Sequence, residues 1–219
     1  MTKTKAEIPM RTLVIETATA ACSVALIDSG RVVAQAHEIV GRGHAERLIP
    51  MIAGLPGGGR AEHVLVDVGP GSFTGVRVGI AAARGLALGW GVQVTGYSSL
   101  PLVAAAAFRD GRDPDIHDIA IVMEGGHGEV FMQAFSVDLS PHAELASLKP
   151  EAARAAVGSL PAVGNGLRWL SDAPVGTETL PDAADAVLLP AALTALPARP
   201  IYGRAPDAKP SLPKPASAR

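Results

Sequence analysis

The first half of the chain alternates between runs of strand-like pattern and two stretches of helical spacing. Residues 11–17 (RTLVIET) and 22–28 (CSVALID) are β-rich runs, and 31–39 (RVVAQAHEI) resumes the alternation after Asp28-Ser29-Gly30, a hairpin turn. Three such runs in succession predict an antiparallel meander. Gly41 and Gly43 end it, and 44–55 (HAERLIPMIAGL) sets Leu48, Met51, Ile52 and Leu55 at helical spacing. Pro50 lies inside that run, which predicts a helix that kinks or begins late. Residues 63–68 (HVLVDV) form an apolar strand flanked by turn residues, the pattern of a sheet covered on both faces. Beyond the loop 69–75 (GPGSFTG), residues 76–91 make a helix of small residues and 92–97 another strand. Ser98 or Ser99 then caps a helix reaching about Phe108. The order β-β-β-α-β-α-β-α is a meander continuing into right-handed parallel crossovers.

The second half is patterned more weakly. Residues 118–124 and 129–137 read as two strands joined by Gly125-Gly126-His127-Gly128. A weak helix at 151–157, a turn at Gly164-Asn165-Gly166 and a helix near 182–196 follow. From Pro197 onward the Pro-rich chain reads as extended or disordered. The divisions expected are a complete lobe over 1–108, a smaller lobe over 109–200 and a Pro-rich tail over 201–219. No repeat of solenoid period occurs.

Composition narrows the class. Alanine accounts for 39 of 219 residues and aromatics for only eight, so the core packs through small side chains and lets backbones approach closely. The net charge of −2 leaves no clustered basic face for duplex nucleic acid. A single cysteine, Cys22, excludes an internal disulfide and a Cys-based zinc site, and in a hairpin strand it reads as a small core hydrophobe. A reducing compartment follows. The longest apolar stretch, 76–94, carries Arg77 and Arg84 and does not fit a membrane span, and the N-terminus has no apolar signal region. These features predict a cytoplasmic chain without membrane contact.

Candidate chemistry centres on GPGSFTGVRVG (69–79). A strand ends, a Gly-rich loop turns and a helix begins, so backbone N–H groups and the helix dipole point at whatever sits above the loop. Gly69, Gly71, Ser72, Thr74 and Gly75 are thus the candidate nucleotide- or anion-binding residues. The string is neither a Walker A loop nor GxGxxG, and Gly71, Gly75 and Gly79 would equally let a helix pack closely on a sheet. Ser72 lacks nucleophile partners, since His63 belongs to the opposite end of its strand. With no G-x-S-x-G elbow and no H-E-x-x-H, proteolysis is not expected.

As a string, GPGSFTGVRVG resembles the signature of the TsaB family, the partner subunit in synthesis of threonylcarbamoyladenosine on tRNA. Residues 13–26 (LVIETATAACSVAL), 44–52 (HAERLIPMI), 94–100 (VTGYSSL) and 201–210 (IYGRAPDAKP) are similar to further segments of that family. The resemblance is good over the first 108 residues and looser in the second half. It implies an α/β chain of ribonuclease H-like, actin-like fold in two lobes, the second abbreviated. It also implies a non-catalytic partner and scaffold for a TsaD-type transferase, which makes N6-threonylcarbamoyladenosine next to the tRNA anticodon. The resemblance implies further that a TsaE-type ATPase joins that complex and that the chain alone can form a homodimer.

The resemblance further implies that pairing uses the two first-half helices, through His44, Leu48, Met51, Ile52 and Leu55 on one and Gly79, Ala82, Ala83 and Leu86 on the other. One face of each must also cover the sheet, so apolar spacing alone does not assign an interface. On that assignment Leu48→Asp or Ala83→Arg would weaken assembly and leave the fold intact. The related TsaD subunits hold a metal through His-x-x-x-His on a helix. Here Leu48 stands four residues after His44, so neither a metal site nor a catalytic residue is expected. Glu16-Thr17 replaces the family's usual Asp-Thr, and Glu124-Gly125-Gly126 stands where Asp-Ala-Arg is usual. The isolated chain is expected to bind no cofactor, with ATP or ADP entering only in the assembled complex. Contact with tRNA would be weak or indirect, through Arg204, Lys209, Lys214 and Arg219 against Asp207. The competing reading is a stand-alone nucleotide-binding enzyme of actin-like or sugar-kinase type that uses the 69–75 loop.

Overall fold

In a computed structural model, which describes residues 11–111, 115–170 and 176–203, the meander is β1 (Thr12–Glu16), β2 (Ala21–Asp28) and β3 (Arg31–Ile39). Ser29 and Gly30 between β2 and β3 both have positive φ, 52° and 73°, the left-handed pair that a twisted two-residue hairpin requires. β4 (His63–Asp67) and β5 (Gln93–Tyr97) run parallel to β1, giving the order β3-β2-β1-β4-β5. Helices α1 (His44–Ala53) and α2 (Phe73–Trp90) cover one face of this sheet and α3 (Ser99–Asp110) the other. The period of two is explicit: Leu13 and Ile15 face α1 and α2, while Val14 between them faces α3.

The second lobe contains β6 (Asp118–Gly126), β7 (Glu129–Ser136), β8 (Ala146–Leu148), α4 (Pro150–Val157), β9 (Ala162–Val163) and β10 (Gly176–Thr177). Its order, β8-β7-β6-β9-β10, repeats that of the first sheet with the same pairing directions. The ribonuclease H-like arrangement thus occurs twice, the second time shortened. The two-residue strands β9 and β10 are too short for alternation to reveal them.

Three expectations change. The helix near 182–196 is replaced by two 3₁₀ turns, Ala183–Leu188 and Ala191–Leu193, because Pro190 interrupts the donor series between them. Asp182 caps the first, its Oδ1 accepting from Ala184 N at 2.9 Å. Helix α2 begins three residues earlier than its apolar pattern, since Ser72 Oγ accepts from Gly75 N at 3.2 Å and so supplies the cap. The segment from Pro197 to Gly203 is docked instead of free. Leu196 exchanges backbone hydrogen bonds with Gly96 at 2.6 and 3.0 Å, Ile201 N donates to Val68 O at 2.7 Å, and Arg84 donates to Ala198 O at 2.6 Å. This strap closes the open edge of β5. The remainder of the expected tail lies outside the described residues. Helix α1 starts at His44 and runs through Pro50, which is exposed.

Three apolar cores result. One lies between the first sheet and α1/α2, and one lies behind the second sheet against α4. The third joins the lobes: Val14, Leu65 and Leu100 of the first pack with Ile121 and Phe135 of the second and with Ala186 of the 3₁₀ turn. Residue 108 therefore separates the two sheets but not the cores. No helix among the described residues is long and apolar enough to cross a membrane.

Candidate functional site

Where the lobes face one another they leave a cleft of about 930 Å³. The ends of β1, β4 and β5 meet behind its wall, bringing together four fully buried polar residues: Glu16, Asp67, Tyr97 and Ser99. Glu16 Oε1 accepts from Ala18 N at 2.8 Å, and Glu16 Oε2 accepts from Tyr97 Oη at 3.0 Å. Asp67 Oδ1 accepts from Ser99 Oγ at 2.5 Å and from Gly69 N at 2.6 Å. Asp67 Oδ2 is buried and makes no hydrogen bond among the described residues. Burial, and next the Asp67 charge, push the Glu16 carboxyl well above the ordinary range. Burial likewise pushes Asp67 up to about 7, against the opposing pull of Ser99 and Gly69. Burial and then the Glu16 charge raise the Tyr97 phenol. Burial of this degree favours the protonated form of both carboxyls. Sequence reasoning singled out Glu16 but not Asp67; the available signal was a lone acid closing the apolar run HVLVDV.

The Gly-rich loop is packed against the same strand end. An added Cβ at Gly71 would overlap Ala18 O, one at Gly75 would overlap Thr17 O, and one at Gly79 would overlap Thr17 Oγ1. Thr17 Oγ1 in turn donates to Gly75 O at 2.9 Å. The loop's amides are turned inward as well: Gly69 N to Asp67 Oδ1, Ser72 N to Ala18 O at 2.6 Å, and Gly75 N to Ser72 Oγ. Of the five candidate anion-binding residues, Gly69, Ser72 and Gly75 thus have their N–H groups committed within the chain. Gly71, Ser72 and Thr74 do line the cleft. Gly75→Ala should accordingly destabilise the fold by roughly 1–3 kcal/mol, through overpacking against Thr17. A thermal midpoint equal to the wild type would contradict that packing.

His44 is buried, and its Nε2 bonds to Ala21 O at 3.1 Å, tying the start of α1 to β2. Leu48, one turn later, is 1% exposed and belongs to the core. Among the described residues no three His, Cys, Asp or Glu side chains are grouped as metal ligands. His63, at the far end of β4, bonds to Thr95 Oγ1 at 2.9 Å, while Ser72 serves as the cap of α2. In the second lobe Glu124 is bonded to Arg168 at 2.9 Å, and Glu124 N donates to Asn165 Oδ1 at 3.1 Å. Asn165 and Glu124 are cleft residues, as is His127 at the exposed tip of the β6–β7 turn.

The residues expected at a partner surface divide sharply by burial. Leu48, Met51, Ile52 and Leu55 all pack into the core under α1, as do Gly79 and Ala83 under α2. Ala82 and Leu86 are half-buried. Those expected contacts are corrected accordingly: α1 has one strongly apolar face, and the sheet occupies it. What α1 and α2 turn outward is a different set, Ala45, Ile49 and Ala53 on α1 with Ala81, Gly85 and Leu88 on α2. Ile49 is 49% and Leu88 86% exposed. An added Cβ at Gly85 or Gly89 would meet nothing within 4 Å, so neither glycine has a packing reason within the chain.

The family model described as TsaD, tRNA N6-adenosine threonylcarbamoyltransferase, matches residues 34–141. The chain is 37% identical over 206 residues to the tRNA threonylcarbamoyladenosine biosynthesis protein TsaB of Escherichia coli K12, covering 86% of this chain and 85% of that protein. A solved structure, YeaZ from Pseudomonas aeruginosa, superposes with a TM-score of 0.70 at 28% identity over 88% of this chain and 99% of that one. A second Pseudomonas aeruginosa structure, described as an uncharacterized protein with similarity to peptidase YeaZ, gives 0.72 at 28% identity over 89% and 99%.

Proposed function

Since this chain belongs to the TsaB family and is a subunit in tRNA threonylcarbamoyladenosine biosynthesis, we propose that it works without an active site of its own, as the scaffold on which a TsaD-type transferase assembles. The observation that carries this reading is the outward face of α1 and α2. Two exposed glycines inside a helix cost about 1 kcal/mol each relative to alanine. Nothing within the chain offsets that cost at Gly85 and Gly89, whereas a second helix pair lying against them would. Leu88 on the same helix and Ile49 on α1 are exposed apolar side chains of the kind such a contact needs. The sealed acids at the strand ends support the non-catalytic half of the proposal. Glu16 and Asp67 are fully buried, and the loop above them is filled by its own backbone contacts. In this reading a TsaE-type ATPase and its nucleotide belong to the assembled complex.

Co-expression with a TsaD-type subunit, followed by size exclusion with light scattering, tests the proposal. A heteromer stable at micromolar concentration is expected. Two separate peaks at that concentration would remove the proposal.

A further inference from the structure

The mouth of the cleft carries an arrangement that the scaffold role does not use. Phe73, the first residue of α2, is 70% exposed, and Tyr202 on the C-terminal strap is 62% exposed. The guanidinium of Arg77 stands beside both, with its Cζ 3.2 Å from the Phe73 ring centroid and 5.4 Å from that of Tyr202. Arg77 Nη1 donates to Phe73 O at 2.7 Å and Nη2 to Tyr202 Oη at 2.9 Å. Two of its N–H groups thus fix the cation in place, and others of its five remain for a ligand. In a chain with eight aromatic residues, two flat rings are held in solvent around one oriented arginine.

The charge of the cleft favours an anion. Arg42 lines the same cavity, and neither an ion pair nor a side-chain hydrogen bond is formed by it among the described residues. The acid on the opposite lobe's wall, Glu124, is already neutralised by Arg168. Gly203, the last described residue, lies in the cleft against Phe131, and the sequence beyond it reads RAPDAKPSLPKPASAR, with four basic residues and one acidic.

From this arrangement we infer that the cleft mouth grips a single-stranded segment of RNA, a base stacking on Phe73 or Tyr202 and neighbouring phosphates meeting Arg77 and Arg42. Exposed rings interleaved with cations are the chemistry of single-strand recognition, where stacking accepts any base and the cations follow the backbone. A free mononucleotide shares that chemistry but suits this site less. Its phosphates would need a nest of N–H groups, and those of Gly69, Ser72 and Gly75 are turned inward. The inference rests on the scaffold reading, in that RNA is the material on which the pathway works.

Fluorescence anisotropy with a labelled RNA stem-loop carrying a seven-nucleotide loop tests it, on the full chain and on its TsaD-type heteromer. Removing both rings (Phe73→Ala with Tyr202→Ala) should weaken binding about tenfold or more, in line with the measured worth of base–aromatic stacking. Arg77→Ala should weaken it and reduce the slope of log affinity against log salt by about 0.7. Tyr202→Phe, which keeps the ring but loses the hydroxyl that holds Arg77, should bind more tightly than Tyr202→Ala, and melting temperatures close to the wild type's show that each variant is folded. A fully paired duplex binding equally well, displacement of the stem-loop by stoichiometric ATP, or affinity unchanged by loss of both rings would each overturn the inference. Heteromer formation is read separately on the same variants. Assembly without RNA binding removes this inference alone, and RNA binding without assembly removes the scaffold reading alone. Loss of assembly on removing the rings would make the cleft mouth a protein contact and also overturn it.

Discussion

Asp67→Asn is expected to stabilise the protein at pH 8 and to change it little at pH 4. The Asp67 carboxyl titrates near 7 in the fold against an ordinary 3.8, pushed up by burial. A group whose folded value lies above its unfolded value gives up stability as pH rises. Below about 4 both states hold the proton, and between 4 and 7 the unfolded state releases it while the fold retains it. Stability therefore falls between about 4 and 7, and above 7, where both states have lost the Asp67 proton, the loss is complete. At 1.36 kcal/mol per tenfold difference in proton affinity, that ionisation costs on the order of 4 kcal/mol at pH 8. Glu16 is shifted in the same direction, so its ionisation adds to the loss. Asparagine cannot ionise, and its Oδ1 can keep both bonds, from Ser99 Oγ and Gly69 N. The amide placed where Oδ2 was is the partial cost. A net gain of about 2–3 kcal/mol at pH 8 corresponds to a rise of roughly 4–12 °C in melting temperature. Melting curves of both proteins between pH 4 and pH 9 would show the difference opening from about pH 4 and levelling off above about pH 7. A variant less stable than wild type across that range would mean that Asp67 is needed as a carboxylate, with a cation or ordered solvent on Oδ2.

How much of this could be read beforehand differs between elements for physical reasons. The meander, β4 and β5 were legible because each is long enough for its pattern to repeat and is bounded by residues with fixed backbone roles, such as Ser29-Gly30. Helix α2 was legible except for its first three residues, which depend on the Ser72 cap and not on apolar spacing. β8, β9 and β10 span only two or three residues, and a pattern cannot repeat within them. The 3₁₀ turns at Ala183–Leu188 and Ala191–Leu193 mimic helical spacing over a stretch that Pro190 divides.

The candidate site was legible in its parts and not in their pairing. Glu16, Asp67, Tyr97 and Ser99 come from four elements, and only the parallel register of β1, β4 and β5 brings them together. The same holds for Phe73 and Tyr202, which lie far apart in the sequence and come together around Arg77 only because the strap docks on α2. For the glycine loop, the close-packing reading of the spacing is explained by neighbours that no spacing reveals: Thr17 and Ala18 stand where a Cβ at Gly75 or Gly71 would come. The helix faces show the same ambiguity. The apolar set of α1 was visible in the spacing, but spacing cannot say whether a sheet or a partner covers it.

That ambiguity is resolved by comparing two leucines that a hydropathy plot treats alike. Leu48→Asp places a carboxylate at a site 1% exposed in the core between α1 and the sheet. Losing the leucine costs about 2–5 kcal/mol, and burying an unpaired polar group adds several more. The sum approaches the whole stability of an ordinary domain, so the variant should fail to fold and yield no soluble heteromer. Ala83→Arg, at a fully buried position, should fail in the same way. Leu88→Asp changes a side chain 86% exposed on the outward face of α2, and the isolated chain should keep its melting temperature within the range of a surface substitution, about 0.5 kcal/mol. Its effect should fall on assembly instead, weakening the heteromer by about 30-fold or more, as for a truncated interface anchor. Gly85→Ala provides the opposite case on the same face: it should stabilise the isolated chain by about 1 kcal/mol while weakening pairing, since its methyl group stands only where a partner helix would come. Circular dichroism melts and light scattering on the four variants separate the two effects. If Leu88→Asp and Gly85→Ala both assemble as the wild type does, the outward face of α1 and α2 is not the surface that meets the transferase.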